Sequence, residues 1–476
     1  MKKAVTTLMT VLAIFLSAAY AEDNAAKGKN IVIDERGRQA VVAKEMIIDK
    51  VWSGHPVGFS LLTEGTNQYA AYYNADRQMV VASRRLDQDE WVKFMPQTDY
   101  KLPPKGESPA SATLGWDSHN YLKMAIDKNG FIHLSGNMHV NNLTYFRSTK
   151  PYDITTIVQI KSMTGELEDK CTYPMFMKTA AGELIFGYRH GSSGSGNQIY
   201  NIYNADTQTW SRLLDKPLTD GKGLRNAYIQ GPELGPDGWY HISWVWRETY
   251  DCSTNHDLSY AKSKDLLNWF TVDDKPLELP ITFETPGVIV DPIPEKGGII
   301  NGSGKIGFDN GKRVVLAYHK FDEKGNTQAY CARAVNGRWQ KKQLTDWDYR
   351  WYFDGGGSIL TDITIGAVKP RTDEYVELDY RHKKYGSGTW LLDNKLNICG
   401  TVHKPQQVPS SINKLQSTFP GMTIKRTFDE SGTGDKAVTY LLSWETLPQN
   451  RDLAREGELP APSELKFYEI RYTQEK

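Results

Sequence analysis

The chain has 476 residues, in which 57 Lys plus Arg balance 57 Asp plus Glu and four cysteines lie far apart. Neutrality excludes a global pull toward nucleic acid or a membrane surface, and cysteines without CxxC pairing exclude a zinc knuckle or a disulfide-dense scaffold. Any anion-binding function is therefore local, and an 11% aromatic share with 40 glycines suits short strands, tight turns and platforms for sugars.

In chain order, residues 1–21 read as a secretory signal. Lys2 and Lys3 precede an apolar run from Val5 to Leu16, and Ala19 and Ala21 stand at A-x-A spacing. The run is too short for a lasting membrane span, and no cysteine near the cleavage site offers a lipid anchor. The expectation is a periplasmic or secreted protein whose residues 22–476 form one catalytic domain.

From residue 57 onward one device recurs: an apolar strand, a polar turn containing Gly, and a second strand rich in aromatic and β-branched residues. It occurs at 57–73, 121–137, 174–190 and 229–247, again at 304–320 and 365–382, and more weakly around 436–445. Third strands follow several of these hairpins and end in a turn and a Trp, as in SKDLLNW, a degenerate Asp-box. Seven units of four strands predict an all-β fold, a seven-bladed β-propeller of antiparallel blades, in which radial repetition avoids long open edges. A β-sandwich or jelly roll accommodates similar hairpins but leaves the repeat unexplained.

In such a blade the start of the first strand and the end of the second share one rim. His119 precedes the first strand of blade two and His139 follows its second. With Asp127 opposite Gly130, facing residues sum to 257, so His119 faces position 138 and its ring comes within reach of His139. The same rim collects Tyr188, Arg189 and His190 from blade three and Trp246 and Arg247 from blade four. His319 and Lys320 come from blade five, and Arg381, His382 and Lys383 from blade six. A basic, aromatic ring of this kind suits a carboxylated or sulfated sugar. His55, between Gly54 and Pro56 beside Trp52, is a second candidate centre. Asn255, His256 and Asp257 cluster in a loop, but three consecutive residues do not converge easily on one ion.

WDSHN and GNMH, the GYRHGSSGSGN segment and the AAYYNADRQMVVASRRL opening blade resemble the BNR-repeat propellers. These include the ulvan lyases and the gut Bacteroidetes enzymes that remove L-rhamnose from D-glucuronate on arabinogalactan. The resemblance covers nearly the whole mature chain. It implies β-elimination beside a uronate, with His119, His139 and Tyr188 as acid and base and Arg189 or Arg247 offsetting the carboxylate. His190, Trp246, His319, Lys320 and Arg381 are the further expected substrate contacts. It also implies a rival, hydrolysis of the same linkage through His55, unusual because most glycosidases use two carboxylates. The expected partner is an acidic, rhamnose-capped glucuronate glycan, with neither nucleic acid nor membrane. No cofactor is required, and a structural divalent cation is compatible with the sequence. A propeller that binds acidic glycans without turning them over is the non-enzymatic alternative.

Overall fold

A computed structural model describes residues 31–98, 111–431, 435 and 437–474; the expected signal segment lies outside them. Seven antiparallel sheets follow one another along the chain as the seven blades of a propeller. Blade one runs from Ser60–Glu64 to Val92–Phe94, and blade two from Leu122–Ile126 to Ile157–Gln159. Blades three, four and five begin at Cys171–Lys178, Asn226–Leu234 and Lys305–Phe308. Blade six runs from Ile363–Pro370 to Ile398–His403 and gains Ile31–Asp34 as a parallel outer strand. Blade seven is composite: Thr423–Phe428, Val438–Thr446 and Ser463–Gln474 are completed by Arg38–Val51 from the other end of the chain. That last antiparallel pairing closes the ring and covers the outer edge of Ser463–Gln474, with Arg38–Val51 as the outermost strand.

First strands touch between blades one and two, two and three, four and five, five and six, and seven and one, so they form the inner wall. Each blade is covered on both faces by its neighbours, which is why Tyr240–Arg247 is buried at every position instead of alternating. Stacked rings such as Phe59 on Trp444, centroids 4.3 Å apart, fill the wedge between blades one and seven. The turn chemistry is local. In blade two Asp127 Oδ1 accepts from the backbone of Asn129 and Phe131, both at 2.9 Å, and so builds the DKNG turn with its own side chain. In SKDLLNW, Asp265 Oδ1 accepts from the backbone of Leu267 and Asn268 at 2.9 and 2.8 Å while Trp269 is buried, an Asp-box turn without the Gly.

Candidate active site

Blade two pairs with a facing sum of 258, as in Leu122 with Gly136 and Ile126 with Ile132, one more than the sequence predicts. The turn closes through Asp127 N–H on the Phe131 carbonyl, and extrapolation of this register sets position 119 opposite 139. The two imidazoles stack with centroids 4.2 Å apart. Beyond its hairpin the chain turns at Asn137, φ 56°, and His139 starts a short strand that joins blade three opposite Thr172.

Asp117 organises the pair. Its Oδ1 lies 2.7 Å from His119 Nδ1, and its Oδ2 hydrogen-bonds His139 Nδ1. Both Nδ1 atoms donate to one carboxylate, and both Nε2 atoms are without a protein partner among the described residues in the central cavity that the two rings line. Burial works against the His119 cation, yet Asp117 and Asp452 outweigh it and raise the pKa from 6.5 to about 9. Burial likewise opposes ionisation of Asp117, but the two imidazoles hold it far below the usual carboxylate range. Asp117, His119 and His139 are also, among the described residues, the one group with metal-ligand spacing. The 2.7 Å separation is a hydrogen-bond distance, whereas two ligands about 2.0–2.1 Å from a tetrahedral zinc stand roughly 3.3 Å apart. A shared proton fits this contact better than an ion.

The cavity, about 650 Å³, runs along the axis and takes side chains from blades two to seven. Tyr173 reaches it from a β-bulge between Thr172 and Met175, where Tyr173 itself has φ 59°. The bulge re-aims the ring, so that it lies 5.7 Å from His119. Burial pushes its phenol well above the ordinary range, so it meets a substrate protonated. Arg189 opens onto an adjoining cleft of about 260 Å³ that shares His119, Tyr173 and Tyr228 with the main cavity. It is 2% exposed and has no ion pair among the described residues. Only Nη2 finds a partner, Thr172 Oγ1 at 3.0 Å, and Nε and Nη1 are buried without one. Gly196 lets the guanidinium stem pass, since a Cβ there falls 2.8 Å from Arg189 Cδ and 2.3 Å from Asn226 Oδ1. Arg247 and Lys305 line the main cavity, again without an acidic partner among the described residues. Arg247 donates to Tyr228 Oη at 3.3 Å and to the Tyr250 carbonyl, and Lys305 to Gln230 Oε1 at 3.1 Å. Burial lowers the Lys305 pKa.

The remaining expected site residues divide by strand parity. Tyr188, expected as acid or base, is fully buried in blade three, and its hydroxyl accepts from Arg212 at 2.9 Å; the alternation that brings Arg189 to the cavity turns Tyr188 away. Trp246 is likewise buried against Trp244 and Phe283, while Arg247 faces the axis. His190 pairs with Asp169 at 2.8 Å outside the cavity lining, and Lys320 pairs with buried Asp291. His319 does line the cavity, held by the Gly298 carbonyl at 2.9 Å and Ser303 Oγ at 3.1 Å. Arg381 braces the rim through the Thr361 carbonyl at 2.8 Å, and Lys383 pairs with Asp362. His382 is buried, its Nδ1 accepting from the Lys384 backbone. His55 is 2% exposed and does not line the cavity. Its Nδ1 accepts from Trp52 Nε1 at 2.9 Å, and burial, assisted by Arg77, pushes its pKa down to about 4. Both nitrogens of His256 are taken, by Glu248 and Asp257, and Asn255, His256 and Asp257 open the strand Asn255–Ser263 where the sequence suggested a loop.

Residues 67–347 match the BNR repeat-containing family. The chain belongs to that family. Over 75 residues it is 36% identical to the long-isoform ulvan lyase of Glaciecola sp. (strain KUL10). Over the same length it is 42% identical to that of Pseudoalteromonas sp. (strain PLSV). Each match takes 15% of this chain and spans only 7% and 8% of those enzymes. The polysaccharide lyase Uly1 superposes with TM-score 0.59 at 13% identity, covering 90% of this chain and 99% of that one. A PL25 ulvan lyase bound to -[GlcA(1-4)Rha3S]- gives 0.57 at 14% identity, covering 90% and 96%. At such identities the superpositions establish the propeller fold.

Proposed function

We propose that this BNR-repeat propeller is an exported polysaccharide lyase that breaks the bond at O4 of a glucuronate by β-elimination. Its substrate is a rhamnose–glucuronate glycan, with terminal L-rhamnose α-1,4-linked to D-glucuronate on arabinogalactan as the preferred form. One observation carries the reading: a buried arginine, without a counter-ion among the described residues, opens beside two imidazoles fixed through Nδ1 by one carboxylate. A buried cation with idle donors costs free energy unless an anion arrives, and the substrate carboxylate is that anion.

Arg189 receives the carboxylate and, with cationic His119, neutralises it. This acidifies the C5 proton, because the charge that develops on the carboxylate in the transition state meets donors already in position. His139 in its neutral form presents the Nε2 lone pair, takes the C5 proton, and passes charge toward Asp117 through Nδ1. The C5–H electrons become the C4–C5 double bond, the C4–O4 bond breaks, and Tyr173, protonated at rest, donates to the departing oxygen. Proton transfer from His139 back to Tyr173 restores the site. Hydrolysis through His55 draws no support from a ring that is buried, neutral and outside the cavity lining.

The test is to incubate the protein with rhamnose-capped arabinogalactan and with a sulfated rhamnose–glucuronate glycan. Free sugar and the ultraviolet absorbance of the unsaturated uronate are followed together. The two signals are expected to rise in step on the preferred glycan. Free rhamnose without absorbance overturns elimination, and retention of glycan without any turnover overturns the enzyme reading.

A further inference from the structure

Asp452 lies far from the other site residues in sequence, in the segment between the second and third strands of blade seven. Its side chain is only 10% exposed, and both oxygens are fully engaged. Oδ1 accepts from Ser118 N at 3.0 Å and from Ser118 Oγ at 2.6 Å. Oδ2 accepts from Ser358 N at 2.8 Å and lies 3.3 Å from His119 Nδ1. One carboxylate thus ties together three segments that meet over the cavity: the approach to blade two, the approach to blade six, and its own. Arg451 and Asp452 are consecutive non-glycine residues in the left-handed region, at φ 56° and 59°. Such backbone persists only where surrounding contacts over-determine it. Here Arg451 Nη1 supplies them by donating to the Asp354 carbonyl at 2.7 Å and the Gly356 carbonyl at 3.2 Å.

We infer that Asp452 is a positioning residue, which fixes the His119 ring as the second carboxylate on Nδ1 and locks the rim segments at 118 and 358 around it. The titratable groups around the ring are Asp117 on its own segment, His139 stacked at 4.2 Å, Tyr173 at 5.7 Å from blade three, and Asp452 from blade seven. Of these only the two carboxylates stabilise the imidazolium by charge. Asp117 also hydrogen-bonds His139, whereas the imidazole that Asp452 contacts is that of His119. The kinetic consequence rests on the elimination reading; the electrostatic one does not.

The test is Asp452→Asn in the full chain, with the His119 C2–H titration followed by NMR and assigned through His119→Gln. Removing an opposite charge at this range is expected to lower the His119 pKa by about one unit or more. The alkaline limb of kcat/KM is expected to move down with it, with kcat falling more than KM rises. Asp452→Glu keeps the charge and is expected to restore the titration more than the rate, since the longer side chain misplaces the Ser118 and Ser358 bonds. An unchanged His119 titration in a folded Asp452→Asn protein overturns the proposal, even where elimination stands. A shifted titration in a protein that forms no unsaturated product upholds Asp452 and overturns the elimination reading alone.

Discussion

Replacing Arg189 by methionine pulls stability and activity in opposite directions. The guanidinium is 2% exposed, makes one hydrogen bond to Thr172, and leaves Nε and Nη1 unpartnered. An unsatisfied buried donor costs about 1–3 kcal/mol, and replacing buried charge by an apolar side chain of similar volume often stabilises by about 1–4 kcal/mol. Against this stands the Arg189–Tyr173 ring contact at 5.0 Å, worth roughly 0.5–1 kcal/mol. The Arg189→Met substitution is thus expected to leave the free protein slightly more stable, by about 1–2 kcal/mol. The same change removes the donors aimed at the substrate carboxylate, for which a loss of about 10²–10³-fold in kcat/KM is expected. Urea denaturation with and without a glucuronate-containing oligosaccharide separates the two effects. Saturating ligand at about 100 Kd adds about 2.7 kcal/mol to a protein that binds it, and that increment should vanish in the variant. If Arg189→Met destabilises the free protein by more than about 1 kcal/mol, or keeps its turnover, Arg189 is a structural residue and the carboxylate lies elsewhere.

Asp117→Asn leaves His139 without its charged anchor and His119 with Asp452 alone, and a loss of about 10²–10⁴-fold in kcat is expected, measured as initial rate of unsaturated product. The His119 pKa of about 9 stands above its ordinary 6.5, so the ring is cationic at neutral pH. Its contribution to stability is full below about 6.5 and is lost as pH rises through about 9, and kcat/KM should fall over the same alkaline limb. A profile that instead falls near 6.5 refutes the raised value. His55→Ala should cost about 1–3 kcal/mol of stability through the lost Trp52 bond and packing, while elimination is retained. Loss of rhamnose release in a folded His55→Ala protein revives hydrolysis. Phe467→Ala, at a fully buried position in the closing blade, should cost about 3–5 kcal/mol in chemical denaturation. A change under about 1 kcal/mol means that closure through blade seven is not what holds the ring.

The parts of this molecule that were legible in the sequence are those set by local chemistry. Asp127 with Gly130, and Asp265 with Trp269, announce their turns because one side chain satisfies backbone donors two or three residues away. From those turns the blade count, the closeness of His119 to His139 and the face that Arg189 and Arg247 share follow by strand arithmetic. Parity was the weak step. A rim assembled from consecutive residues treats Tyr188 like Arg189 and Trp246 like Arg247, although alternation sends one of each pair between blades. Tyr173 escaped for the converse reason: a bulge breaks the alternation just where the ring enters the cavity, and the left-handed backbone that marks it has no signature at a tyrosine. Asp452 was beyond reach altogether, since its meeting with His119 depends on a ring closed by strands 38–51 and 463–474. A propeller displays its repeat in sequence but assembles its site across blades. Acids that tune the site, such as Asp452, are therefore less visible in the sequence than the bases they tune.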